Sequence, residues 1–95
     1  RVNQRREEVL RGRMEENIRR VQAEGCYRED VNPEVASRFL ISLSHEVRAM
    51  AEDPSTAAPL SKLYLESALY HIRASATAKG IAFLEEKIKE ENLFT

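Results

Sequence analysis

Ninety-five residues with 15 basic and 16 acidic side chains, for a net charge of −1, are one small domain's worth of chain with no broad electrostatic drive toward nucleic acid. The 42% hydrophobic and 33% charged composition, with only three Gly and three Pro, points to few, long elements in a soluble helical protein. No apolar run approaches the roughly 20 residues that span a bilayer, no signal-peptide pattern opens the chain, and a single Cys excludes an internal disulfide, so a cytoplasmic setting is expected.

The chain opens on Arg1 inside charged helical sequence, which reads as a domain of a longer protein. From Val2 to Glu24 the apolar residues Val9, Leu10, Met14, Ile18 and Val21 recur at steps of three and four, one stripe of an amphipathic helix. Glu7–Arg11, Glu15–Arg19 and Glu16–Arg20 stand at i,i+4 in the favourable acid-first order. Gly12 interrupts this helix and marks either a close backbone approach or a fraying start. Arg6, Arg13 and Arg20 share a face, but the glutamates among them make it a solvated face rather than a phosphate-binding stripe.

Gly25 sits where a helix-ending glycine belongs, and Asn32-Pro33-Glu34 reads as an N-cap, a first-turn proline and a first-turn acid. The second helix is expected from Pro33 to about Met50, with Val35, Ala36, Phe39, Leu40, Leu43, Val47 and Met50 on its widened apolar stripe. AEDPSTAAP, residues 51–59, is a loop. A third helix follows from about Pro59–Ser61 to Ser75, apolar on two sides. Thr77 then caps a last helix from Ala78 to about Asn92, with Ile81, Leu84 and Ile88 as its stripe and Phe83 to one side. The fold class is therefore all-α, with about four helices in a bundle-like arrangement.

Residues that carry chemistry are scarce. Cys26 lies past the negative end of a helix among Glu24, Glu29 and Asp30, without the positive surroundings that activate a thiol. A structural zinc site needs about four convergent Cys or His ligands, and calcium-loop spacing is absent, so no metal or cofactor is expected. His45 and His71 have no carboxylate or cysteine at i+4. His71, on the doubly apolar third helix, reads as a packing, pocket or interface histidine. No glycine-rich phosphate loop or nucleophile elbow occurs, so no catalytic residue is assigned and an enzyme is not expected.

Helices three and four carry more apolar surface than one stripe each needs, while Ala68, Ala74, Ser75 and Ala76 would admit a close backbone. Such excess marks a partner interface. Two helices from each of two subunits would form an intersubunit four-helix bundle, the alternative being cover from the same polypeptide, including sequence before Arg1.

Two segments resemble the effector domain of TetR-family transcriptional regulators. EENIRRVQAEGCYREDVNPEVASRF, residues 15–39, is similar to a branch in which a helix ends in Glu-Gly, an aromatic and Arg-x-Asp follow, and Asn-Pro-Glu opens the next helix. YHIRASATAKGIAFLEE, residues 70–86, resembles that branch's closing segment, Tyr-His-Leu-Arg-Gly-Ile-x-Thr-x-Lys-Gly, with Ala74 and Ser75 standing where the pattern has Gly and Ile. The resemblance implies that residues 1–95 are a single C-terminal regulatory domain, which forms a homodimer through its last two helices and senses a small-molecule effector of unknown identity. It also implies a helix-turn-helix DNA-binding domain preceding Arg1, so that DNA is contacted only through that part. On this reading Tyr64, Ala68, His71, Ile72, Ile81, Leu84 and Ile88 form the dimer face, while Phe39, Leu43, Val47 and Tyr70 are candidates for pocket or core lining. The competing expectation is a helical protein–protein interaction module, an adaptor for a partner's amphipathic helix.

Overall fold

The computed structural model describes residues 2–92, with side chains from Gln4 onward. It contains four helices in chain order, α1 (Val2–Ala23), α2 (Pro33–Glu52), α3 (Leu60–Ser75) and α4 (Ala78–Glu91). The all-α expectation holds, and the helix ends fall within two residues of the sequence reading.

Local chemistry explains the ends. At the close of α1, Gly25 takes the left-handed conformation (φ 80°), its N–H donates to the Gln22 carbonyl at 2.9 Å, and the Cys26 N–H reaches back to the Val21 carbonyl at 3.1 Å. This pair of bonds is the Schellman motif, which satisfies carbonyls that α1 leaves without helical partners. Asn32 caps α2 by accepting from the Val35 N–H at 3.2 Å, with Pro33 in the first turn. α2 then runs two residues past its expected end, because the Asp53 N–H still bonds the Met50 carbonyl at 3.1 Å. Asp53 starts the loop itself: its carboxylate accepts from the Ser55 N–H and hydroxyl, both at 2.8 Å, and the backbone bond foremost holds it below the usual carboxylate range. Thr77 caps α4 by accepting from the Gly80 N–H at 3.2 Å.

α1 packs along α2, and α2 along α3. No other pair of helices packs extensively among the described residues, so α4 leaves the layer as an arm. The result is a slab of 38 × 38 × 19 Å. Its apolar core is small, with Ile18, Val47, Leu69 and Ala76 as the buried hydrophobic residues. Ser37 is wholly buried and donates to the Glu34 carbonyl at 2.8 Å, so its burial leaves no unmet hydroxyl.

Two of the three i,i+4 pairs expected on α1 do not form: Arg20 donates to the Asn17 amide oxygen at 2.7 Å instead of meeting Glu16, and Glu7 does not take Arg11. Glu15 does meet Arg19, at 2.7 Å, but it also takes Arg11 at 3.1 Å, and the Arg19 bond foremost holds its carboxyl below the usual range. Glu7, freed from Arg11, reaches His45 of α2 at 3.3 Å and ties the two helices together instead.

The glycines sort differently from their sequence reading. A Cβ on Gly12 would meet nothing within 4 Å, so this position marks no close approach. The close approach is at Gly80, where a Cβ would lie 2.2 Å from the Cys26 carbonyl oxygen and 3.0 Å from the Ala76 Cβ. Gly12→Ala is expected to stabilise the chain by about 0.4–1 kcal/mol, through helix propensity and a less flexible unfolded state. Gly80→Ala should destabilise it by about 1–3 kcal/mol, the usual cost of overpacking, despite the same gain in propensity. Urea unfolding of the two variants checks this, and equal shifts of one sign would contradict the assigned contact.

Candidate functional site

Three helix ends converge at one place: the C-terminus of α1, the C-terminus of α3 and the N-terminus of α4. The turn after α1 is joined there to the two-residue link between α3 and α4. The Arg28 N–H donates to the Ser75 carbonyl at 2.8 Å and the Thr77 N–H to the Cys26 carbonyl at 2.9 Å, with Tyr27 and Ala76 paired as an antiparallel bridge. The Thr77 hydroxyl donates to the Gly25 carbonyl at 2.6 Å while serving as the cap of α4. Gln22 closes the turn from within, its side-chain amide donating to the carbonyls of Arg28 (3.0 Å) and Val31 (2.8 Å).

Two cations complete the joint. The Lys79 ammonium donates to the Glu24 carbonyl at 2.9 Å, and Arg28 Nη1 donates to the Ala74 carbonyl at 2.7 Å. Each places positive charge on the negative end of a helix, α1 and α3 respectively, where the aligned peptide dipoles favour it. Asp30 steadies Arg28 through a 3.0 Å contact to Nε.

Tyr27 projects from this joint and meets His71 of α3 edge to face, with ring centroids 5.5 Å apart and planes at 88°. On one side of Tyr27 a cavity of about 200 Å³ is bounded by Met14, Ile18, Leu40 and His71. On the other, a cavity of about 280 Å³ lies against Val21, Ile72, Phe83, Leu84 and Lys87, floored by Cys26 and Gly80. Burial keeps the His71 ring below its ordinary value of 6.5 and lifts the Tyr27 phenol above its ordinary 10.0, so both are neutral near pH 7. Among the described residues no three His, Cys, Asp or Glu side chains gather as metal ligands.

The residues singled out from the sequence separate into distinct settings. Val47 is core and Leu43 is half-buried. Phe39 and Tyr70 are 70% and 67% exposed, so they line no core of this chain. α2 meets its neighbours through the Leu40–Leu43–Val47 side of its wide stripe and turns Phe39 outward. His71 is directed between α1 and α2, whereas Ile72 turns toward α4. Tyr64, Ile81, Leu84 and Ile88 are half-buried and Ala68 is exposed. Sequence periodicity did not reveal the roles of Gln22, Arg28, Lys79 and Gly80. The available signal was a glycine three residues after the capping Thr77, where a helix otherwise has no use for one.

No protein-family model, curated protein or solved structure matches this chain.

The buried imidazole has a consequence for stability. The folded chain binds the His71 proton more weakly than the unfolded chain, so stability rises with pH up to about 6.5 and is lost as the pH falls below it. Replacing His71 by Gln should flatten the dependence of urea stability on pH just below about 6.5, since every other titrating group stays in place. An unchanged slope would mean that the ring gains its proton without cost.

Proposed function

We propose that this chain is the dimerising, effector-sensing domain of a TetR-like transcriptional repressor, acting on DNA through a helix-turn-helix domain elsewhere in the polypeptide. The observation that carries the proposal is the arm α4. It has an apolar stripe, Ile81, Leu84 and Ile88, yet packs along no helix of its own chain. The chain's accessible surface is 7115 Å², against about 5,600 Å² for a folded monomer of 10.9 kDa on the usual size scaling. That difference exceeds the roughly 800 Å² each partner buries in a standard interface.

A second copy related by a two-fold axis would cover this face with its own α3 and α4, giving a four-helix contact. The joint supports the same reading. Six of the residues on which the family resemblance rests, Gly25, Arg28 and Asp30 in one segment and Thr77, Lys79 and Gly80 in the other, belong to the joint that fastens the α1 turn to the start of α4. The proposed dimer face uses Tyr64, Ala68, Ile81, Leu84 and Ile88. His71 and Ile72 are left out of it, His71 being engaged with Tyr27 and Ile72 turned into the cavity against α4. An effector bound near the joint would shift α4, and with it the partner subunit, which is the coupling a repressor needs.

Sedimentation velocity tests the dimer. The chain should sediment at twice its mass of 10.9 kDa at micromolar concentration. Ile81→Glu with Ile88→Glu should weaken association by at least about 30-fold, as for a buried interface anchor, while helical circular dichroism is retained. A strict monomer at high micromolar concentration would remove the proposal's main support, and an adaptor for another protein's helix would then be the better account of the same stripe.

A further inference from the structure

We propose that the cavity between the joint and α4 binds a small apolar molecule bearing one anionic group, in its simplest form a medium-chain carboxylate. The inference rests on the sensing role above and gives that role a ligand chemistry and a location.

The walls decide the apolar part. Val21 from α1, Tyr27 from the turn, Ile72 from α3, and Leu84 and the exposed Phe83 from α4 border an open cleft of about 280 Å³. That is just under the roughly 300–1,000 Å³ of pockets for drug-sized ligands, so the molecule is small. The remaining lining residue with a charge decides the rest. Lys87 stands at the rim, its ammonium 5.8 Å from the centroid of the Phe83 ring, and no acidic residue lines the cavity. Its neighbour Glu90 lies 3.9 Å away, with both side chains half-exposed. An exposed pair of that kind is worth little, so an incoming carboxylate competes with it readily. Tyr27, held neutral by burial, adds no repulsion to an anion.

The position matters as much as the chemistry. The floor of the cavity is the fixed contact of Gly80 with the Cys26 carbonyl, whereas the Phe83–Lys87 wall belongs to the arm. A ligand wedged there sets the angle at which α4 leaves the joint. Of the dimer stripe, Ile81 and Ile88 do not line this cavity and Leu84 does, so ligand and partner subunit would meet at Leu84 and a ligand there would bear directly on the dimer stripe.

Octanoate is the probe, titrated into the 95-residue chain by NMR with octanol and octylammonium as controls. Octanoate should shift the methyl signals of Val21, Ile72 and Leu84 and show intermolecular NOEs to the Tyr27 and Phe83 rings, with octylammonium binding far more weakly. Lys87→Gln should weaken octanoate by up to about fivefold, the scale of an exposed ion pair, and leave octanol unchanged. Ile72→Phe, which fills the cavity, should weaken both. Equal binding of octanoate and octylammonium, NOEs to a different surface, or no binding at millimolar concentration would each overturn the assignment. The NOE measurement needs no variant, so a misfolded substitution leaves the test intact. A monomer that binds octanoate would sink the dimer and keep the site, and a dimer that ignores octanoate would do the reverse.

Discussion

The contact on which this structure depends is the approach of the Cys26 carbonyl to Gly80, with the Thr77 N–H bonded to the same oxygen at 2.9 Å. It joins residues some fifty positions apart, and no side chain larger than hydrogen fits between them. Around it the hydroxyl of Thr77, the ammonium of Lys79 and the guanidinium of Arg28 each take a carbonyl that a helix end or turn leaves open. A typical net contribution of about 1 kcal/mol per hydrogen bond makes the joint comparable with the burial of a few core side chains. That matters in a chain with only four buried hydrophobic residues among those described.

Because α4 is fastened at its first turn and packs along no helix over its length, it is rooted at one end and its apolar stripe is only half-covered. Rooting fixes where the stripe of Ile81, Leu84 and Ile88 is presented, and its half-burial leaves part of that stripe open to another helix. The same arrangement brings two open cavities to Tyr27, one bordered by α1, α2 and α3 and the other by α1, α3 and α4. A molecule in either would press on the joint. In the proposed sensing role, the element that would meet a partner and the wall that would meet a ligand are turns of one short helix.

Much of this was legible in the sequence, and what was not has a common cause. Helix ends are local: Gly25, Asn32-Pro33 and Thr77 each act within four residues, and each does so in the structure as the sequence indicates. Faces are local too, since periodicity shows that α2 has a wide stripe. Which neighbour covers which part is a property of the whole chain, so Val47 and Phe39 look alike in sequence although one is 3% and the other 70% exposed. His71 likewise sits on an apolar face, but only the position of Tyr27 turns it inward. Gly12 and Gly80 are both glycines within helices. The one that matters is distinguished by a carbonyl 54 residues earlier in the chain, which no local pattern can show.

Native-state hydrogen exchange at the Thr77 and Arg28 amides tests the central claim most directly. Both donate across the joint, to Cys26 and Ser75. If the joint is part of the cooperative core, these two amides exchange only through the same opening that releases Ile18 and Val47, with matching free energies. If instead they exchange as freely as an exposed turn while Ile18 and Val47 stay protected, the joint does not anchor α4 and the account built on it is wrong.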